Sequence, residues 1–145
     1  IVVTDTSDER LAHLRDVHRR HGTPESLIRY VNVSEPGAGN AVIADAAPAS
    51  LIVNATGLGK DRPGSPLADD AVLPLGAYVW EFNYRGTLEF LAQAQSQAAE
   101  RELTVVDGWR YFIHGWTQVI SEVFSVEMPP ARVEELATIA EFARA

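Results

Sequence analysis

Apolar residues fall along this chain in short runs that alternate with helical stripes. Ile1, Val2, Val3 and Thr4 form a β-branched run closed by Asp5, the pattern of a buried strand that delivers one carboxylate to its carboxyl end. A helix follows, with Thr6 or Ser7 as cap, Glu9 in its first turn, Leu11, Leu14 and Val17 inward, and Arg19, Arg20 and His21 ahead of Gly22. Residues 27–33 read as a second strand, 34–40 as a loop, 41–47 as a short helix and 51–54 as a third strand. Residues 57–74 hold three glycines and three prolines, which predicts a long loop with one helical turn near 67–71.

The alternation continues beyond that loop. Residues 78–82 read as a fourth strand and 103–106 as a fifth, with a helix from Thr87 to Arg101 between them that turns Leu88, Leu91, Ala94 and Ala98 inward. Asp107 is placed to cap the longest helix. Its apolar positions, among them Phe112, Ile113, Trp116, Val119, Ile120, Val123 and Phe124, nearly encircle it and predict an element sandwiched between others. Pro129 or Pro130 opens a last helix, with Val133, Leu136 and Ala140 spaced for packing. Strands joined by helical crossovers at this spacing predict a parallel sheet with helices on both faces, an α/β, doubly wound, three-layer fold.

Length and charge narrow the chemistry. At 145 residues the chain fits one domain, 1–145, and 46% hydrophobic with 22% charged residues is a globular composition without a membrane-spanning run. Twenty acidic against twelve basic residues give a net charge of −8, which opposes nucleic-acid phosphates and anionic membrane surfaces and favours a small-molecule partner. The absence of cysteine removes disulfides and thiolate metal sites, and the four histidines lack zinc spacing, so no metal is expected. The apolar run at Ile1 begins as if cut from something longer, so a fragment of a two-domain protein is expected.

Doubly wound sheets take ligands at the carboxyl ends of their strands, and four such points carry polar chemistry. Asp5 is placed to accept from ribose hydroxyls, although a helix cap accounts for it equally well. Asn54-Ala55-Thr56-Gly57-Leu58-Gly59 ends the third strand with an amide, a hydroxyl and two glycines, which permit close backbone approach or simply a tight turn. Glu81-Phe82-Asn83-Tyr84 ends the fourth with a carboxylate, an amide and a phenol, or with sheet-edge polar residues of no further role. After Asp107-Gly108, the side chains of Tyr111, His114 and Gln118 share one helical face. A lone histidine there is more often structural than catalytic. Lys60-Asp61-Arg62, in a loop rich in Pro and Gly, reads as solvated surface.

In this order the motifs NATGLG at 54–59, YVWEFNY ending at Tyr84, and Asp107-Gly108 opening a long helix resemble the cofactor-binding domain of the shikimate/quinate dehydrogenase family. The resemblance covers essentially the whole chain, from the second strand of the dinucleotide fold onward. It implies that the first strand and its glycine-rich turn lie before Ile1, preceded by a substrate domain with the catalytic Lys and Asp, so no catalytic residue is expected here; Lys60 and Asp61 are not that pair. It implies cofactor contacts from Asp5, Thr6, Ser7, Asn54, Ala55, Thr56, Phe82, Gly108 and Tyr111, and substrate contact from Tyr84.

Departures from the family pattern bear on specificity. Members that use NADP typically carry Asn-Arg-Thr where this chain has Asp5-Thr6-Ser7, and a carboxylate repels the 2′-phosphate, so NAD is expected over NADP, with Arg10 one turn on as a residue able to meet an anion. Arg110 and Tyr111 replace the family's Gly-Met pair, and Gly115 stands where a substrate-binding Gln is usual; His114 or Gln118 is the expected substitute. The expected activity is NAD-dependent hydride transfer to or from a secondary alcohol of a shikimate- or quinate-like cyclic acid, as in aromatic amino acid biosynthesis. The cytoplasm is the expected compartment, and a homodimer is compatible with this reading. A non-catalytic nucleotide-binding or regulatory module of the same fold is the competing class; a methyltransferase-type fold predicts neither NATGLG nor Asp107-Gly108.

Overall fold

The computed structural model describes residues 1–142, so the last three residues of the predicted domain lie outside the described residues. The chain divides into two compact units, one of Ile1–Ala47 with Leu67–Val72, the other of Pro48–Pro66 with the chain from Leu73 on. It is a mixed α/β structure whose named strands pair in parallel within two small sheets.

In the first unit, β1 (Val2–Asp5) pairs with β2 (Arg29–Asn32), bringing Asp5 opposite Asn32 at their carboxyl ends. Between them runs α1 (Asp8–Arg20), capped by the Ser7 hydroxyl, which accepts from the Arg10 N–H, with acids in the first turn and bases in the last to suit the helix dipole. Leu11 is buried, and Leu14 and Val17 are half-buried. A 3-10 turn at Glu25–Leu27 takes the start of the expected second strand, which therefore begins at Arg29. The short helix α2 (Ala38–Ala44) starts three residues ahead of its expected position because Gly37, at φ 79°, adopts the left-handed turn that opens it.

The second unit has β4 (Tyr78–Glu81) at the centre of a three-stranded sheet, between β3 (Leu51–Asn54) and β5 (Thr104–Val106). β4 has a hydrogen-bonded neighbour on each side, and its Val79 and Glu81 are almost fully enclosed, at 1% and 0% exposure, while Tyr78 is exposed. Helix α3 (Glu89–Gln97) connects β4 to β5 and buries Phe90 and Ala94; Leu91 is only half-buried. The expected helical turn near 67–71 is a simple turn closed by the Ala71 N–H donating to the Ala68 carbonyl.

Helix α4 (Trp109–Phe124) packs on α5 (Pro130–Glu141) through Trp109, Ile113, Val133 and Ala137. Pro130 is the first residue of α5, where its missing N–H costs nothing. The sandwiched setting expected for α4 is not found. Only Trp109, Ile113 and Thr117 are buried, while Trp116, Val119, Val123 and Phe124 are exposed. The described residues form one helix-on-helix face there, and apolar content all round a helix measures its capacity to be covered rather than the cover itself. No helix of the described residues is long and apolar enough to cross a membrane.

Candidate functional site

The carboxyl ends of β3 and β4 and the first turn of α4 surround a cleft of about 350 Å³ lined by Ala55, Thr56, Lys60, Asp61, Tyr84 and Tyr111, with Gly57, Phe82, Asn83 and Phe112 completing the walls. Beneath it lies a buried polar network. The Asn54 side-chain oxygen accepts from the Thr56 N–H at 3.0 Å and from the Thr56 hydroxyl at 2.7 Å, which fixes the orientation of the amide, so that its nitrogen donates to Glu81 at 2.7 Å. The other Glu81 oxygen accepts from the Asn83 N–H at 2.8 Å, and the Asn83 amide donates to the carbonyls of Thr56 and Leu58. Burial pushes the Glu81 carboxyl above its ordinary range, and the hydrogen bonds from Asn83 and Asn54 pull against that rise.

Glu81 was expected to be free for a polar ligand or idle at a sheet edge. It is instead enclosed beneath the turn and ties the ends of β3 and β4 together. Asn54 is likewise buried, and its amide shapes the 54–57 turn; Thr56 and Ala55 present the outer surface of that turn to the cleft. The sequence carried a signal for this network, an acid and two amides at adjacent strand ends, but not its inward direction.

Two glycines bring the main chain close enough to form the walls. A Cβ on Gly108 would lie 2.2 Å from the Phe82 carbonyl oxygen, and one on Gly86, whose φ is +98°, would lie 2.2 Å from the Gly59 oxygen and 2.8 Å from the Lys60 Cα. Gly108 thus has a packing reason of its own: it seats the start of α4 on the end of β4. The walls are aromatic pairs. Phe82 stacks with Tyr111 at 4.9 Å, and Tyr84 with Phe112 at 3.9 Å.

Asp61 and Arg62 are exposed, as expected of a solvated surface, whereas Lys60 is only partly so; Lys60 and Asp61 both line the cleft. Their placement depends on Gly86, 26 residues further along the chain, and on a turn in which the Asp61 N–H donates to the Gly57 carbonyl, so no local pattern announced it. His114 and Gln118 do not line the cleft. Both are exposed on α4, and the Gln118 amide donates to Glu122 at 2.8 Å. Arg110 pairs with Glu134 on α5.

In the first unit, Asp5 accepts from the Ser7 N–H and from the Arg10 guanidinium through both of its oxygens. Arg10 holds the Asp5 carboxyl below the usual carboxylate range, against the opposing effect of partial burial. Thr6 accepts from the same guanidinium, and Ser7 caps α1. Arg10, expected as a residue able to meet an anion, is thus paired internally with Asp5. Among the described residues no group of three or more His, Asp or Glu side chains is arranged to hold a metal ion.

At about 350 Å³ the cleft has room for a small ligand rather than for a whole dinucleotide. No family model, curated protein or solved structure matches this chain.

Proposed function

We propose that this chain is the cofactor-holding part of an NAD-dependent oxidoreductase acting on a secondary alcohol of a shikimate- or quinate-like cyclic acid. The observation that carries the reading is the convergence of NATGLG, the Phe82–Tyr84 strand end and the Gly108 helix start around one cleft, at the carboxyl ends of parallel strands. Bound there, the nicotinamide would supply or accept the hydride. The chain's own residues orient and enclose: Ala55, Thr56, Phe82 and Tyr111 wall the ring, Asn54 and Gly108 hold those walls in place, and Tyr84 presents its phenol to substrate, while a role for His114 or Gln118, which lie outside the cleft, would need the substrate to extend along α4. For Asp5, with Thr6 and Ser7, to take the adenosine ribose and disfavour the 2′-phosphate of NADP, its carboxylate would have to exchange the bonds it accepts from Arg10 for those hydroxyls. Acid–base chemistry on the alcohol would come from a Lys/Asp-bearing domain outside this chain.

The same reading includes the finer architecture: β1–β2 and β3–β4–β5 as the two parts of one doubly wound, three-layer sheet, completed by a further strand with a glycine-rich turn. It is compatible with β1 and β3 each having one hydrogen-bonded strand neighbour among the described residues, as β2 and β5 also have.

The test is a panel on the complete gene product, with NAD and NADP each assayed against shikimate, quinate and related cyclic polyols. NAD-linked turnover of one of these acids is expected, together with weaker turnover in Tyr84→Phe, since one neutral hydrogen bond is worth about 0.5–1.5 kcal/mol. Absence of binding by either dinucleotide would sink the reading. The pairing of Arg110 with Glu134 and of Gln118 with Glu122 favours a second reading, a non-catalytic nucleotide-binding module, because positions near the family's substrate contacts are occupied by ion pairing and surface bonding. Dinucleotide binding without turnover of any panel member would select it.

A further inference from the structure

We propose that Lys60 and Arg85, held around Asp61 at the rim of the cleft, form a subsite for the carboxylate of a ring-shaped ligand. The Lys60 amine stands 3.3 Å from one Asp61 oxygen and the Arg85 guanidinium 3.6 Å from the other, so two cations share one carboxylate and these three side chains together carry one positive charge. That local excess is opposite in sign to the chain's net charge of −8. It sits against an aromatic floor: Lys60 Nζ and Arg85 Cζ lie 5.8 and 5.9 Å from the centroid of the Tyr84 ring, whose neighbour in the stack is Phe112.

The position of this charge is built in. Lys60 is only 25% exposed, its backbone is pressed against Gly86, and the turn that carries it closes through the Gly59 N–H donating to the Arg62 carbonyl at 2.7 Å. A lysine held in this way loses less side-chain freedom on binding than a solvated one. One net positive charge beside a flat aromatic surface and a Tyr84 phenol without a hydrogen-bond partner among the described residues suits a monoanion on a hydroxylated ring; a phosphate dianion would leave charge unmatched. The subsite deepens the oxidoreductase reading and rests on it only for the choice of a cyclic hydroxy acid as ligand.

Calorimetric titration of the complete gene product with shikimate, shikimate methyl ester and inorganic phosphate tests the subsite. Shikimate is expected to bind at least tenfold more tightly than its ester. Lys60→Gln combined with Arg85→Gln should bring that ratio close to one, whereas Asp61→Asn, which removes the compensating carboxylate, should raise it severalfold. An ester that binds as well as the acid, a ratio that survives the double substitution, phosphate that binds more tightly than shikimate, or no shikimate binding overturns the proposal. NAD titration of the same samples separates the two ideas: NAD binding without acid preference removes the subsite alone, and acid preference without NAD binding removes the oxidoreductase reading alone.

Discussion

The two sheets are made of similar sequence and end in different environments. Residues 1–4 of the first are as apolar and β-branched as residues 51–53 and 79 of the second, yet no residue of β1 or β2 is buried, whereas β4 encloses Val79 and Glu81. The first unit's buried apolar residues are Leu11 and Ala71; the second holds Leu73, Ala77, Val79, Phe90 and Ala94 about its sheet and the α4–α5 cluster besides. What separates them is hydrogen-bonded neighbours. β4 has a parallel partner on each side and β1 has one, and a two-stranded parallel sheet lacks the lateral cover that makes such strands stable. An apolar run states what a strand can bury; its neighbours decide what it does bury.

The contrast breaks most visibly in stability. Leu73→Ala, at a site 1% exposed, should cost about 2–5 kcal/mol by urea denaturation, whereas Val3→Ala on half-buried β1 should cost under about 1 kcal/mol. Equal costs would show β1 to be covered in solution. Next in size is the charge that the first unit brings to cofactor choice. Asp5→Asn with Thr6→Arg should raise the NADP-to-NAD ratio of catalytic efficiencies about tenfold or more, since a charge-assisted hydrogen bond is worth about 1.5–3 kcal/mol. An unchanged ratio would leave Asp5 as a partner for Arg10 and the Ser7 N–H only.

Two pH effects sharpen the comparison further. Glu81 has a folded pKa above its ordinary value, so the folded chain binds more protons than the unfolded one between those two values. Its contribution to stability should therefore fall as pH rises through that window, and the difference in denaturation midpoint between the wild type and Glu81→Gln should shift with pH in that sense. A difference that moves the other way would mean that the hydrogen bonds from Asn54 and Asn83 outweigh burial. Asp5 works in the opposite sense. Its pKa is lowered, so its contribution is present above the ordinary carboxylate range and fades as pH falls through the folded value. With Arg10 mostly exposed that contribution is small: Arg10→Ala should move the Asp5 titration seen by NMR upward while leaving the denaturation midpoint almost unchanged.

Much of the second unit was legible because its signals are local. β3 is bounded by Pro48 and by the glycines that follow Asn54, and it runs from Leu51 to Asn54 as its apolar pattern predicts. Phe82, Tyr84 and Tyr111 reach one cleft because strand ends and a helix start place them there. The sequence pattern failed where direction depends on distant chain. Leu27 belongs to a 3-10 turn rather than to β2, the α4 stripe lacks the second cover its composition suggests, and Lys60 enters the cleft through a contact with Gly86. Glu81 looked available for a ligand because nothing in the run YVWEFNY reveals that Asn54 and Asn83 meet it from two directions.

The close approach of main chain at Gly86 and Gly108 has a bearing on how the cleft could be altered. A frame set by backbone meeting backbone does not need the Phe82–Tyr111 pair to hold it, so those two side chains can be exchanged for other shapes, whereas Tyr84 also packs against the α4–α5 cluster. Libraries confined to Phe82 and Tyr111 should consequently yield folded variants with new ligand preferences, and libraries that include either glycine should be depleted of folded members.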